Sequence, residues 1–169
     1  DASRITTRLY VGEAIAGDEH LRWLQEQGVT HVICTARELS DAALCAQHGL
    51  GFYHVRWHDD GTVKPASDFL AALAWVLEMD AGALALGLPL PRYYLHCLAG
   101  LYRSPLLTTF LLAALAGMDA DAAYAVVKAG RPQANAFNEE LYRASCVAAL
   151  RAVASSGVVV PHPSAAIWP

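Results

Sequence analysis

Apolar positions recur along this chain with two different periods, and the switches between them mark its elements. Leu9-Tyr10-Val11-Gly12 reads as a short strand closed by a glycine. Asp18 is placed to cap a helix whose Leu21 and Leu24 lie three apart, with Gly28 ending it. Val29 to Cys34 is β-branched and apolar, the pattern of a buried strand. Ser40-Asp41 opens a second helix that ends near Gly49, and Gly51 to Trp57 forms a third strand. His58 to Pro65 carries the Asp, Gly and Pro content of a loop. Ser67 then caps a helix with Phe69, Leu70, Leu73, Val76 and Leu77 on its core face, and residues 80–91 read as a Gly/Pro-interrupted loop. Tyr93 to His96 is a short apolar strand. Helices at Ser104–Ala116, Asp119–Ala129 and Phe137–Ala152 follow, separated at Gly117 and at Gly130-Arg131-Pro132. Trp23 and Trp75 lie at helical spacing with leucines and are expected in the core; Trp168 has no assignable role. Strands alternating with helices, then a helical C-terminal half, predict an α/β fold with a small sheet flanked by helices.

Composition narrows what such a fold can do. The 169 residues suit one domain, read as 1–152 with an irregular, proline-bearing tail at 153–169. An apolar fraction of 55% against 17% charged residues excludes a disordered chain. The net charge of −4, with only Lys64 and Lys128 as lysines, argues against a general nucleic-acid binder. Any anion site must therefore use arginine, backbone amides or helix ends. Cys34, Cys45, Cys97 and Cys146 are scattered without a C-x-x-C pair, which fits a reducing compartment rather than a disulfide framework. Asp1 to Tyr10 lacks the basic stretch and apolar run of a signal peptide, so a cytoplasmic location is expected. The uncharged stretch from Ser104 to Met118 has 15 residues, short of the ~20 that cross a bilayer, and reads as a helix buried on most sides.

One segment carries chemistry: His96-Cys97-Leu98-Ala99-Gly100-Leu101-Tyr102-Arg103-Ser104. It leaves the end of a predicted strand and runs into a predicted helix. Helix N-terminal amides are unpaired and favour an anion, and a loop with glycine at its middle can curl so that successive N–H groups converge. Arg103 adds a planar fork for two phosphate oxygens. The same field favours the thiolate of Cys97, and Ser104 can donate a hydrogen bond to the sulfur. Cys34, Cys45 and Cys146 have no such setting and read as inert buried cysteines.

H-C-L-A-G-L-Y-R-S resembles the H-C-x-x-G-x-x-R-[ST] signature of the cysteine-dependent protein tyrosine phosphatases, and its A-G form is most similar to the dual-specificity members. Leu9 to Gly12, Gly28 to Ile33, Ala123 to Pro132, Phe137 and Leu141 resemble further segments of that family, so the likeness spans roughly Arg4 to Arg151. It implies a phosphotyrosine-phosphatase-like fold with a mostly parallel sheet. It further implies a phosphate-binding loop from Leu98, Ala99, Gly100, Leu101 and Tyr102 to Arg103, a Cys97 nucleophile, and an acid on an upstream loop. Trp57-His58-Asp59 fits the family's acid spacing, which favours Asp59, with Asp60 the alternative and His58 a third donor. Asn135 resembles the polar residue before the last helix but stands two, not three, residues ahead of Phe137.

The expected activity is phosphate monoester hydrolysis through a phosphocysteine, on phosphotyrosine or phosphoserine/threonine. Members of the resembled family that act on polyanionic inositol lipids often place basic residues in this loop; no lysine or histidine lies between Leu98 and Tyr102, so the resemblance implies other substrates. Phosphoinositide, sugar and nucleotide phosphates are the alternative substrates, and a phospho-binding pseudophosphatase is the alternative from the binding class. A phosphorylated protein or small monoester is thus the expected partner, with no nucleic acid, no membrane span and no cofactor. His54 and His58 do not share a face on a strand and loop, and no cysteine or carboxylate cluster stands at metal spacing in the sequence, so no metal site is expected.

Overall fold

The computed structural model describes residues 1–161, so Pro163, Trp168 and Pro169 lie outside it. Its strands are β1 (Ala2–Arg4), β2 (Leu9–Gly12), β3 (His31–Ala36), β4 (Gly51–Trp57) and β5 (Tyr93–His96). They form one sheet in the order β1-β2-β5-β3-β4. All neighbours pair in parallel except β1, which runs antiparallel to β2. The helices are α1 (Asp18–Glu26), α2 (Ala42–Gln47), α3 (Ala66–Ala85), α4 (Arg103–Ala116), α5 (Ala120–Gly130) and α6 (Glu140–Ser155). The fold is the expected α/β sheet with a helical C-terminal half.

Strand side chains alternate, so each central strand feeds two cores. Leu9, Ile33, Tyr93 and Leu95 pack with Phe69 of α3, Phe110 of α4 and Tyr142 of α6. Tyr10, Val32 and Tyr94 face the other way, onto Leu21 and Leu24 of α1 and Cys45 of α2. Twelve of the fourteen residues of α4 are buried, which accounts for its lack of charge beyond Arg103. No helix among the described residues is long and apolar enough to cross a membrane.

Several boundaries differ from the pattern in the sequence. β1 carries no apolar periodicity and is held by its pairing with β2. α3 continues to Ala85, through much of the stretch expected as loop, because its single glycine there, Gly82, keeps helical geometry. Asp18 and Ser67 are the first and second residues of their helices rather than caps; Asp119 does cap, accepting from the Ala122 amide. Phe137 sits in a 3₁₀ turn (Ala136–Asn138) ahead of α6, which itself runs to Ser155. Trp23 is not core: it is 42% exposed on the outer side of α1. Trp75 is half-buried and stacks on Tyr53.

Candidate active site

The parallel register aligns Gly12 of β2, His96 of β5 and Cys34 of β3 in one row at the carboxyl end of the sheet. In open parallel sheets this end is where ligands bind. β5 stops at His96, α4 starts at Arg103, and the residues between them form the loop singled out in the sequence. Gly100 has φ +67°, the left-handed region that a side chain disfavours. A Cβ there would also lie 2.5 Å from the Gly12 carbonyl oxygen and 2.7 Å from Arg131 Nη2.

The loop's carbonyls are all accounted for on its outer side. Ala14 N donates to Leu98 O (3.0 Å) and Asn135 N donates to Leu101 O (2.7 Å). Arg131 Nη2 donates to Ala99 O (3.2 Å), and its Nε donates to Gly100 O (2.7 Å). With four successive C=O groups tied back, the amides are left to turn inward. One of them is seen doing so: Gly100 N donates to Cys97 Sγ at 3.2 Å. Ser104 Oγ donates to the same sulfur at 3.3 Å, and Cys97 is 2% exposed. Burial pushes the thiols of Cys34, Cys45 and Cys146 up to about 12.

Arg103 is fully buried. It donates from Nη1 and Nη2 to Glu38 Oε2 and Oε1 at 2.8 and 2.6 Å, and from Nη1 to Trp57 O at 3.1 Å. Burial opposes its charge, but the Glu38 hydrogen bonds and the neighbouring Cys97 and Asp59 outweigh that and raise its pKa. The same hydrogen bonds from Arg103 hold Glu38 down at about 2. One donor is left over: Arg103 Nε is buried and makes no hydrogen bond. An unpaired buried donor beside the loop amides is a ready partner for an anionic oxygen.

The two aspartates of the upstream loop part company. Asp59 Oδ2 lies 3.6 Å from Arg103 Nη2, at the mouth of the loop. Asp60 Oδ1 instead accepts from Thr62 N, Thr62 Oγ1 and Lys64 Nζ, and the Lys64 and Thr62 bonds push its pKa far down. His58 turns to Arg37 (2.7 Å), and His54 turns to the Ala36 carbonyl (2.8 Å). Beside Asp59 a cleft of about 300 Å³ is lined by Gly61, Tyr102, Glu139 and Tyr142, so the rim is acidic and aromatic.

No protein-family model matches the sequence, and no curated protein matches it either. Solved structures do. Human DUSP28 is similar with a TM-score of 0.71 at 21% identity, over 92% of this chain and 99% of its own. PTPMT1 in complex with PI(5)P gives 0.76 at 16% identity, over 93% and 99%. The human tyrosine phosphatase-like serine/threonine/tyrosine-interacting protein gives 0.67 at 21%, over 92% and 96%. This chain has the fold of the dual-specificity phosphatases. At these identities the likeness is one of fold, and the chemistry rests on the site itself.

The fold brings Cys97, Arg103, Ser104 and Asp59 together and turns Asp60 away toward Lys64. Sequence reading missed Glu38, whose place depends on where the β3–α2 connection lands. Arg131 was visible only as part of an R-P step, with nothing to say that it grips the loop. Folding also brings ligand atoms of Cys34, Asp41 and His96 within 4.8 Å of one another, a grouping that no spacing along the chain shows.

Proposed function

We propose that this chain is a cysteine-dependent phosphatase acting on phosphoproteins. The observation that carries the reading is the sulfur of Cys97, receiving hydrogen bonds from Gly100 N and Ser104 Oγ beside the unpaired Nε of Arg103. Substrate phosphate enters the loop from Leu98 to Arg103, taking the inward amides and the free edge of the guanidinium. The Cys97 thiolate attacks phosphorus, the ester P–O bond breaks, and Asp59 gives its proton to the leaving oxygen. Asp59, now a carboxylate, takes a proton from water as that water attacks the phosphocysteine. Cys97 leaves as thiolate, eased by the Ser104 hydroxyl. Negative charge on the phosphoryl oxygens is met by groups already in position, which is the main source of acceleration in such sites. The chemistry needs no metal.

Asp59 suits the acid role better than Asp60, because Asp60 is committed to Lys64 and Thr62 and held strongly ionised. The rim bears on substrate. Glu38, Asp59 and Glu139 surround the approach, and the loop between Cys97 and Arg103 holds no cation, an arrangement that repels polyanionic headgroups. A phosphorylated side chain fits it better. A phosphoinositide substrate is the second reading, favoured by the fold likeness to PTPMT1 in complex with PI(5)P.

The test is hydrolysis of an aryl phosphate in the presence of EDTA, expected to proceed and to vanish in Cys97→Ser. Turnover that survives Cys97→Ser, or that EDTA removes, overturns the proposal. A panel of phosphopeptides and phosphoinositides then separates the two substrate readings.

A further inference from the structure

Behind the loop stand three groups that the mechanism does not use. Cys34 of β3 and His96 of β5 are cross-strand partners, and Asp41 lies just before α2. Cys34 and His96 are fully buried; the Asp41 side chain keeps 15% of its surface exposed. Asp41 Oδ2 and His96 Nε2 are 3.1 Å apart, yet both are buried without a hydrogen bond, so they meet close but misaligned. The other ring nitrogen explains why this matters. His96 Nδ1 faces the Cys97 carbonyl at 3.4 Å, and because a carbonyl only accepts we assign the ring proton to Nδ1. Nε2 then turns a lone pair toward a carboxylate oxygen inside the protein. Two buried acceptors facing each other require something positive between them, either a second proton or a metal ion.

We propose that Cys34 Sγ, Asp41 Oδ2 and His96 Nε2 form a site for a divalent cation of the zinc class. The donor set of thiolate, carboxylate and imidazole is the borderline-soft one that zinc prefers. Bonds of ~2.0–2.3 Å at tetrahedral angles put ligand atoms ~3.3–3.7 Å apart, near the observed His96–Asp41 separation. A ligating histidine that donates its other N–H to a backbone carbonyl is the usual supporting arrangement, and here that carbonyl belongs to Cys97. The Cys34 thiol now makes a long hydrogen bond to Ala36 O at 3.5 Å. On binding, the S–H bond breaks, its proton goes to solvent, and the sulfur electron pair forms the bond to the metal. No electron is transferred. The partly exposed Asp41 is the way in, and water takes the fourth position. The site is separate from the phosphate cup: it lies one residue behind Cys97 and does not use its sulfur.

Equilibrium dialysis of the metal-free full chain against zinc ion, with bound metal quantified, tests this. One equivalent is expected in the wild type and in Cys97→Ser, and less than a tenth of that in Cys34→Ser and Asp41→Asn. Zinc is expected to raise the melting temperature of the first two proteins only. Cobalt(II) gives a thiolate charge-transfer band that persists in Cys97→Ser and disappears in Cys34→Ser. Circular dichroism of the metal-free variants checks folding; if Cys34→Ser fails to fold, Asp41→Asn decides, since its side chain reaches solvent. No binding by the wild type overturns the proposal. Binding lost in Cys97→Ser but kept in Cys34→Ser also overturns it, placing the metal on the loop sulfur.

Discussion

Two buried arginines hold the loop from Cys97 to Tyr102 from opposite sides, and they do so with different sets of partners. Arg103 faces inward and is met by carboxylates: Glu38 in a two-pronged pair and Asp59 at 3.6 Å. Arg131 grips from outside, donating to the main-chain oxygens of Ala99 and Gly100 and to the side chains of Ser3 and Asp1. Partners that carry charge raise the pKa of Arg103, whereas burial lowers that of Arg131. The contrast separates two tasks that one residue type performs in one loop. Arg103 offers charge to a ligand, keeping its Nε free; Arg131 orients the backbone so that amides rather than carbonyls line the cup.

Removing the inward arginine tests the contrast most strongly. Arg103→Ala is expected to lower aryl phosphate kcat/KM by ~10³–10⁵-fold, the range seen when an arginine is withdrawn from a transferring phosphoryl group. Next comes the proposed acid beside it: Asp59→Asn should cost ~10²–10⁴-fold in kcat, while Asp60→Asn stays within a few-fold of wild type. If the pH profile of Asp60→Asn, and not Asp59→Asn, loses its basic limb, the two aspartates exchange roles.

On the outer side the signature is different. Arg131→Met leaves the Ala99 and Gly100 carbonyls without this donor, at about 1–3 kcal/mol for the buried Gly100 group and less for exposed Ala99. It should lower the melting temperature by several degrees, with a smaller loss of kcat than Arg103→Ala. A variant that melts like the wild type yet is catalytically dead would break the comparison. Smallest is Glu38→Gln, expected to reduce kcat/KM by about tenfold at most, because the Glu38 side chain is 47% exposed and its pairing is screened. Its stability effect has a defined pH window. Folding lowers the Glu38 pKa from 4.5 to about 2, so its contribution is present above pH 4.5 and is lost as the pH falls toward 2. The melting difference between wild type and Glu38→Gln should shrink across that window.

The loop itself was legible in the sequence because its requirements are local. A strand end, a glycine with positive φ and an arginine at a helix start all follow one another in the chain. β4 and β5 were likewise readable in full, since their apolar runs stop where the strands stop. Trp23 was misread because helical spacing alone does not say which side of a helix meets the sheet. β1 was invisible, being a strand only by virtue of its neighbour. Glu38, Arg131 and the Cys34–Asp41–His96 group share that character. Their roles depend on register and on the landing points of connections, which no spacing along the chain encodes.

Gly12 and Gly100 approach each other with no room for a side chain between them. The height of the Cys97 loop above the sheet is therefore set by main chain against main chain. Rotamer exchange in the surrounding core has no lever on it. Substitutions that loosen the packing of α3, α5 or α6 should thus erode stability well before they alter the intrinsic reactivity of Cys97, so that evolution can vary the body of the molecule while the cup stays fixed.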